Sequence, residues 1–135
     1  MASDAADAVD MYDASLRVFS EILGESELVA ALGMPTTSHD VGSLVSPRSQ
    51  TRRKNSVWIL ESNGHKTNEP LDEQLGELIR FGEAHSVAFD QLRSACTIDL
   101  FCGVDQRTIN AGFQLRPDLT RRIAELELTI TVHVY

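Results

Sequence analysis

Leu128-Thr129-Ile130-Thr131-Val132-His133-Val134-Tyr135 alternates without a break. Leu128, Ile130, Val132 and Val134 fall on one side, and Thr129, Thr131, His133 and Tyr135 on the other. Successive side chains of a strand point to opposite faces, so this period of two predicts a strand with one apolar face. The segment before it, Pro117–Leu126, changes period. Leu119, Ile123 and Leu126 recur at helical spacing behind a proline, which suits a first helical turn. A helix followed by a half-buried strand closes the chain, and the same grammar reads outward from there.

Thr97–Gly103 (TIDLFCG) sets Ile98, Leu100 and Cys102 against Asp99 and Phe101. Ser15–Glu21 sets Leu16 and Val18 against Arg17 and Phe19. Ser56–Glu61 (SVWILE) is the most apolar run and reads as a central strand. Its Val57 and Ile59 are as apolar as Trp58 and Leu60, so its phase is the weakest of the set. Ser26–Leu32 reads as a short helix stopped by Gly33. Leu71, Leu75, Leu78 and Ile79 open a helical stretch near Pro70, behind a cap at Thr67 or Asn68. Gly82 interrupts that stretch, which resumes through Phe89 and Leu92. A turn at Asp105–Asn110 and a short strand at Gly112–Leu115 complete the string. The order is β-α-β, a helical linker, then β-β-α-β. It predicts an α+β domain with a ferredoxin-like, mostly antiparallel sheet and helices on one face.

The chain has 135 residues, enough for one domain with its own core. Its formal charge is −8, from 20 acids against 12 bases. Phosphate contacts need clustered Lys and Arg, so nucleic acid is not an expected partner, and neither is an anionic membrane surface. Residues 1–13 carry Asp4, Asp7, Asp10 and Asp13 without a base, and read as a poorly ordered acidic tail before a domain over 14–135. The start of the chain lacks an apolar run and no long apolar segment follows, so the expected location is cytoplasmic. Cys96 and Cys102 do not form a Cys-x-x-Cys pair, and reduced, buried thiols are expected.

Helices on one face of such a sheet leave a second face. By alternation it displays Arg17, Phe19, Trp58, Leu60, Asp99, Phe101, Thr129, Thr131, His133 and Tyr135. Rings mixed with polar groups are the usual look of a binding or subunit surface. The alternative is that the long irregular segment Met34–Asn55 folds over these rings and makes a second small core. Stacked rings on a sheet also occur in RNA-recognition domains, but the basic-glycine-aromatic run is missing and the charge is wrong.

Met34–Asn55 also holds the one strongly cationic stretch, with Arg48, Arg52, Arg53 and Lys54. These groups could hold an anion by charge-assisted hydrogen bonds or remain solvated. The glycine pattern of a phosphate loop is absent. His39, His65, His85 and His133 lack zinc-ligand spacing, and no metal or other cofactor is expected. His39 beside Asp40 is a possible acid–base pair of a kind that occurs often by chance. Cys102 and His133 point to opposite sides by strand phase, which excludes that nucleophile–base pair. No catalytic residue is assigned.

Several segments are familiar together: SLRVFSEILGESELVAALGMPTTSH with Gly42, then SPR, VWILES, Leu71–Ile79, IDLFCG, GFQL and PDLTRRIAELELTITVHVY. In order and spacing this pattern resembles a family of small, stand-alone bacterial proteins known only as a domain of unknown function, over Ser15–Tyr135. The resemblance implies a bacterial cytosolic α+β protein, with His39, Gly42, Arg48, Trp58, Cys102 and Gly103 as the fixed points of the pattern. It implies no catalytic residues. Arg116 departs from the Ser or Asp cap expected before Pro117.

Two functions fit these residues. One is an acidic interaction domain, immunity- or antitoxin-like, that meets a protein partner, a basic one suiting its charge, or a second copy through the aromatic–polar face. The other is a domain for a small anionic ligand, or a modest enzyme, using His39, Arg48, Arg52 and Trp58.

Overall fold

A computed structural model describes residues 9–108 and 112–135. Its elements are β1 (Met11–Ser20), α1 (Glu25–Leu32), β2 (Thr37–His39), β3 (Ser56–Glu61), α2 (Leu71–Ala84), α3 (Ser86–Leu92), β4 (Thr97–Asp105), α4 (Pro117–Glu125) and β5 (Thr129–Val134). The fold is α+β, with a five-stranded sheet in the order β2-β3-β1-β4-β5. β1 runs antiparallel to both β3 and β4, and β2 runs antiparallel to β3. β4 and β5 are parallel, so the sheet is mixed.

The ferredoxin-like arrangement is corrected by these pairings. Its split βαβ units keep a third strand between the two parallel strands that a helix joins. Here α4 joins β4 and β5, which are direct parallel neighbours. In the first half β1 and β3 are antiparallel neighbours. The element order repeats, but the spatial order does not.

The helices lie on one face, as the alternation predicts. Leu28, Leu75, Leu78, Ile79, Phe89, Leu119 and Ile123 join Ala14, Leu16, Val18, Ile98, Leu100 and Cys102 in one buried cluster. Gly82 sits inside α2 without breaking it. A Cβ there would lie 3.0 Å from Leu126 and 3.2 Å from Phe89, so the glycine serves close packing. The break comes at His85, between α2 and α3. Pro70, and neither Thr67 nor Asn68, occupies the N-cap position of α2.

The fully buried Gln74 ties this layer to the sheet. Its amide donates to the carbonyls of Tyr12 and Glu69, both at 3.0 Å, and its oxygen accepts from the Ser62 hydroxyl at 2.8 Å. Buried polar groups need such partners, so one side chain stitches β1 to the turn that starts α2.

Three further boundaries differ from the sequence reading. β1 begins at Met11, so residues 11–13 belong to the sheet; Met1–Ala8 lie outside the described residues. Tyr12 makes this possible by exchanging backbone hydrogen bonds with Thr67 (2.8 Å) and Lys66 (2.9 Å). Gly112–Leu115 has no ladder partner and is irregular chain; Asn110, at the end of the expected turn, lies outside the described residues. Within Met34–Asn55, Thr37–His39 forms β2, and residues 42–53 fold back as a small hairpin closed by Gly42–Arg53, Arg53–Ser43 and Val45–Thr51 backbone bonds.

Candidate functional site on the open sheet face

Register decides which side chains share the open face. Arg17 lies opposite Ile59 on one side and Asp99 on the other. Phe19 lies opposite Val57, and His39 pairs with Val57 from the far side. Phe101 lies opposite Ser15 and beside Thr131, and His133 stands beside Gly103. Arg17, Phe19, Asp99, Phe101, Thr129, Thr131, His133 and His39 are therefore brought together on this face.

Trp58 and Leu60 are not. Trp58 lies opposite Val18, whose side chain points to the helices. It is fully buried, its ring is 5.7 Å from that of Phe81, and its indole N–H donates to the Gly33 carbonyl at 2.9 Å. The open positions of β3 belong to Val57 and Ile59. A strand apolar on both sides carries no phase of its own, and only the pairing with β1 supplied it.

Arg17 is the centre of the face. Its Nε donates to Asp99 Oδ1 at 2.9 Å and its terminal nitrogen to Oδ2 at 2.6 Å. Thr131 adds a third donor to Asp99 Oδ2 at 2.8 Å. The guanidinium lies 4.5 Å from the Phe101 ring centroid and 5.2 Å from that of Phe19. A bidentate pair backed by aromatic rings fixes an arginine in one pose and neutralises it. Asp99 is buried although it points away from the helices, because these groups close over it. The result is an amphipathic plate, with the half-buried rings of Phe19 and Phe101 set around a satisfied polar centre.

The plate continues to the end of β5. The rings of Phe101, His133 and Tyr135 follow one another at centroid separations of 6.5 and 5.4 Å. The Tyr135 hydroxyl donates to Asp13 Oδ2. That bond, then burial, pushes the Tyr135 phenol up to about 12. Gly103 leaves room for it: a Cβ there would stand 2.7 Å from Asp13 Oδ2 and 3.2 Å from the Tyr135 hydroxyl. Asp13 was missed in the sequence because it was read as tail. The legible signal was the phase of Leu16 and Val18 continued back through Ala14 and Tyr12.

The basic loop meets this face only at one corner. A groove of about 360 Å³ runs between Phe19 and Val57 on the sheet and Val45, Arg52, Arg53 and Lys54 on the loop. The loop leaves the rest uncovered: His133 and Tyr135 are exposed and Phe101 is partly so. Arg52 donates to the Gly42 carbonyl at 2.9 Å and Arg53 to that of Val45 at 3.2 Å, so both guanidiniums brace their own hairpin. Arg48 is exposed near the hairpin tip, apart from the groove. Gly42 has φ +82°, a conformation that side chains disfavour, which accounts for glycine at the hairpin base.

His39 and Asp40 do not form a working pair. Asp40 accepts the Glu25 backbone N–H at the start of α1 (3.0 Å) and the Ser56 hydroxyl (3.3 Å), which is a structural cap. Cys102 lies in the core beside Val132, on the side opposite His133. Burial, then the Asp99 charge, pushes its thiol up to about 12, far from a nucleophile's range. Among the described residues, no three His, Cys, Asp or Glu side chains are grouped to hold a metal ion. No helix among them is long and apolar enough to cross a membrane.

No curated protein and no solved structure matches the chain. The family model described as "Domain of unknown function (DUF4279)" matches residues 10–135, nearly the whole chain, and the protein therefore belongs to that family.

Proposed function

We propose that this is a protein-interaction domain, immunity- or antitoxin-like, whose contact surface is the open sheet face. The carrying observation is Arg17, locked by Asp99 between Phe19 and Phe101 on a face that no helix among the described residues covers. Preorganised arginine and aromatic side chains at the centre of a flat surface are the residue types that dominate protein–protein binding energy. They lose little rotamer entropy on docking because the fold has already fixed them. The net charge of −8 would steer a basic partner toward the molecule from a distance. The test compares wild type with a Phe19→Ala, Phe101→Ala double variant as bait in lysate of the source organism. A protein retained by the first and lost by the folded second supports this reading. Identical captures from both abandon it.

The anionic-ligand reading has one observation in its favour, the groove where Arg52, Arg53 and Lys54 rim Phe19 and Val57. A thermal-shift screen with nucleotides, sugar phosphates and carboxylates tests it. A ligand at a hundredfold its dissociation constant adds about 2.7 kcal/mol of stability. A flat screen removes this reading.

A further inference from the structure

β5 is an edge strand of an unusual kind. Its neighbour β4 covers one side, and among the described residues no strand pairs with the other. Natural sheets blunt such edges with charges, prolines, bulges or very short strands. The opposite edge follows that rule, since β2 spans only Thr37–His39. β5 does not: Thr129–Val134 reads TITVHV, without Lys, Arg, Asp, Glu or Pro. Val132 is 46% and Val134 58% exposed, although both lie on the side of the sheet that packs the core elsewhere.

The backbone directions are fixed by the parallel ladder. Tyr135 donates its N–H to the Val104 carbonyl at 2.9 Å and accepts the Gln106 N–H at 2.7 Å. Alternate residues of a strand turn their backbone groups the same way. His133 and Thr131 therefore also face β4, and Ile130, Val132 and Val134 turn both N–H and C=O outward.

We propose that a second copy of this chain pairs antiparallel along β5, about a two-fold axis at Val132, and joins two sheets into one. That register sets Val132 opposite Val132 of the other copy and Ile130 opposite Val134. These are the outward-turned residues, so each pair can exchange both of its backbone hydrogen bonds. Opposed residues share a face, so the exposed valines meet valine and isoleucine, and Thr131 meets His133. A shift by one residue would set apolar against polar side chains, which excludes odd shifts, and of the even ones only the axis at Val132 pairs all three outward-turned residues within Thr129–Val134. A copy of the same chain is the favoured occupant because the strip is uncharged and self-complementary under a two-fold. A basic partner would find no acid on it. The proposal does not depend on the open-face reading.

The test is sedimentation of the full chain over a range of protein and salt concentrations. Two −8 bodies repel at a distance, and salt screens that repulsion without touching an uncharged strip. The wild type should sediment as a dimer that tightens with added salt. Val132→Pro removes an outward N–H and spares the β4 ladder, and edge strands accept proline there. It should weaken the dimer by roughly tenfold or more. Val134→Lys should act likewise by placing charge in the seam. A wild type that stays monomeric at the highest concentration overturns the proposal. So does a dimer that survives both folded variants, or one that dissolves only in the Phe19→Ala, Phe101→Ala variant. Should the edge variants fail to fold, hydrogen exchange of the wild type decides. The Ile130, Val132 and Val134 amides must slow as concentration rises while those of Thr131 and His133 do not; uniform behaviour refutes the seam.

Discussion

Trp58→Phe separates the two places this residue was assigned. On an exposed binding face it would cost little stability, within about 0.5 kcal/mol, as surface changes usually do. In the structure Trp58 is fully buried, packed on Phe81 and hydrogen-bonded to Gly33. Phenylalanine keeps most of the ring, so the transfer and cavity loss is about 1–2 kcal/mol. The indole N–H bond contributes about 1 kcal/mol more, and the Gly33 carbonyl recovers part of that from water because Gly33 is exposed. The expected loss is about 1.5–2.5 kcal/mol, or a melting temperature lower by roughly 5–9 °C. Urea unfolding should move its midpoint down by roughly 1–2 M with an unchanged slope. Trp58 is the only tryptophan, so wild-type fluorescence reports this site alone. Its emission should be blue-shifted and shielded from acrylamide until unfolding. A loss below about 0.5 kcal/mol together with free quenching in the native state would refute the register assigned to β3.

Three other perturbations test the remaining supports. Asp99→Ala strips Arg17 of its partner; a fully buried break costs about 3–5 kcal/mol, and the 24% exposure of the Arg17 side chain lowers this to about 2–3. A double-mutant cycle with Arg17→Met should show coupling above about 1 kcal/mol, and additivity would mean the pair is decorative. Gln74→Leu leaves the Ser62 hydroxyl and the Glu69 carbonyl without this partner, while the Tyr12 carbonyl keeps the Lys66 N–H, and should cost about 1–3 kcal/mol, read by urea unfolding; a neutral result would remove the stitch between β1 and α2. The Cys102 thiol is pushed up to about 12 in the fold against an ordinary value of about 8.5. Between those values the unfolded chain has lost a proton that the folded chain keeps, so stability is full below about pH 8.5 and falls as pH rises toward 12. Cys102→Ala should shrink the early part of that decline in pH-dependent melts, leaving the share of Cys96, whose thiol burial also pushes up, while the Tyr135 part begins only near pH 10 and persists.

The sequence by itself determined much of the element list, because period and punctuation are local. Leu128–Val134 announced β5 by strict alternation, and Pro117 with Leu119 and Ile123 announced α4. Arg17, Phe19, Asp99, Phe101 and His133 were legible as face residues because each sits in a strand whose two sides differ. Only the tertiary structure decided which strands pair. No local pattern distinguishes β4–β5 as parallel neighbours from the split units of a ferredoxin-like sheet, since both come from the same string of elements. Trp58 shows the same limit at one residue: with Val57, Ile59 and Leu60 all apolar, hydrophobicity cannot phase the strand, and pairing with Val18 does. The Asp13–Tyr135 bond joins residues 122 apart, and Asp40 caps a helix 15 residues upstream. Such contacts follow from closing loops in space, and loop closure leaves no mark on a window of ten residues. The uncharged edge of β5 was printed in the sequence, but that it is an edge came from the sheet order alone.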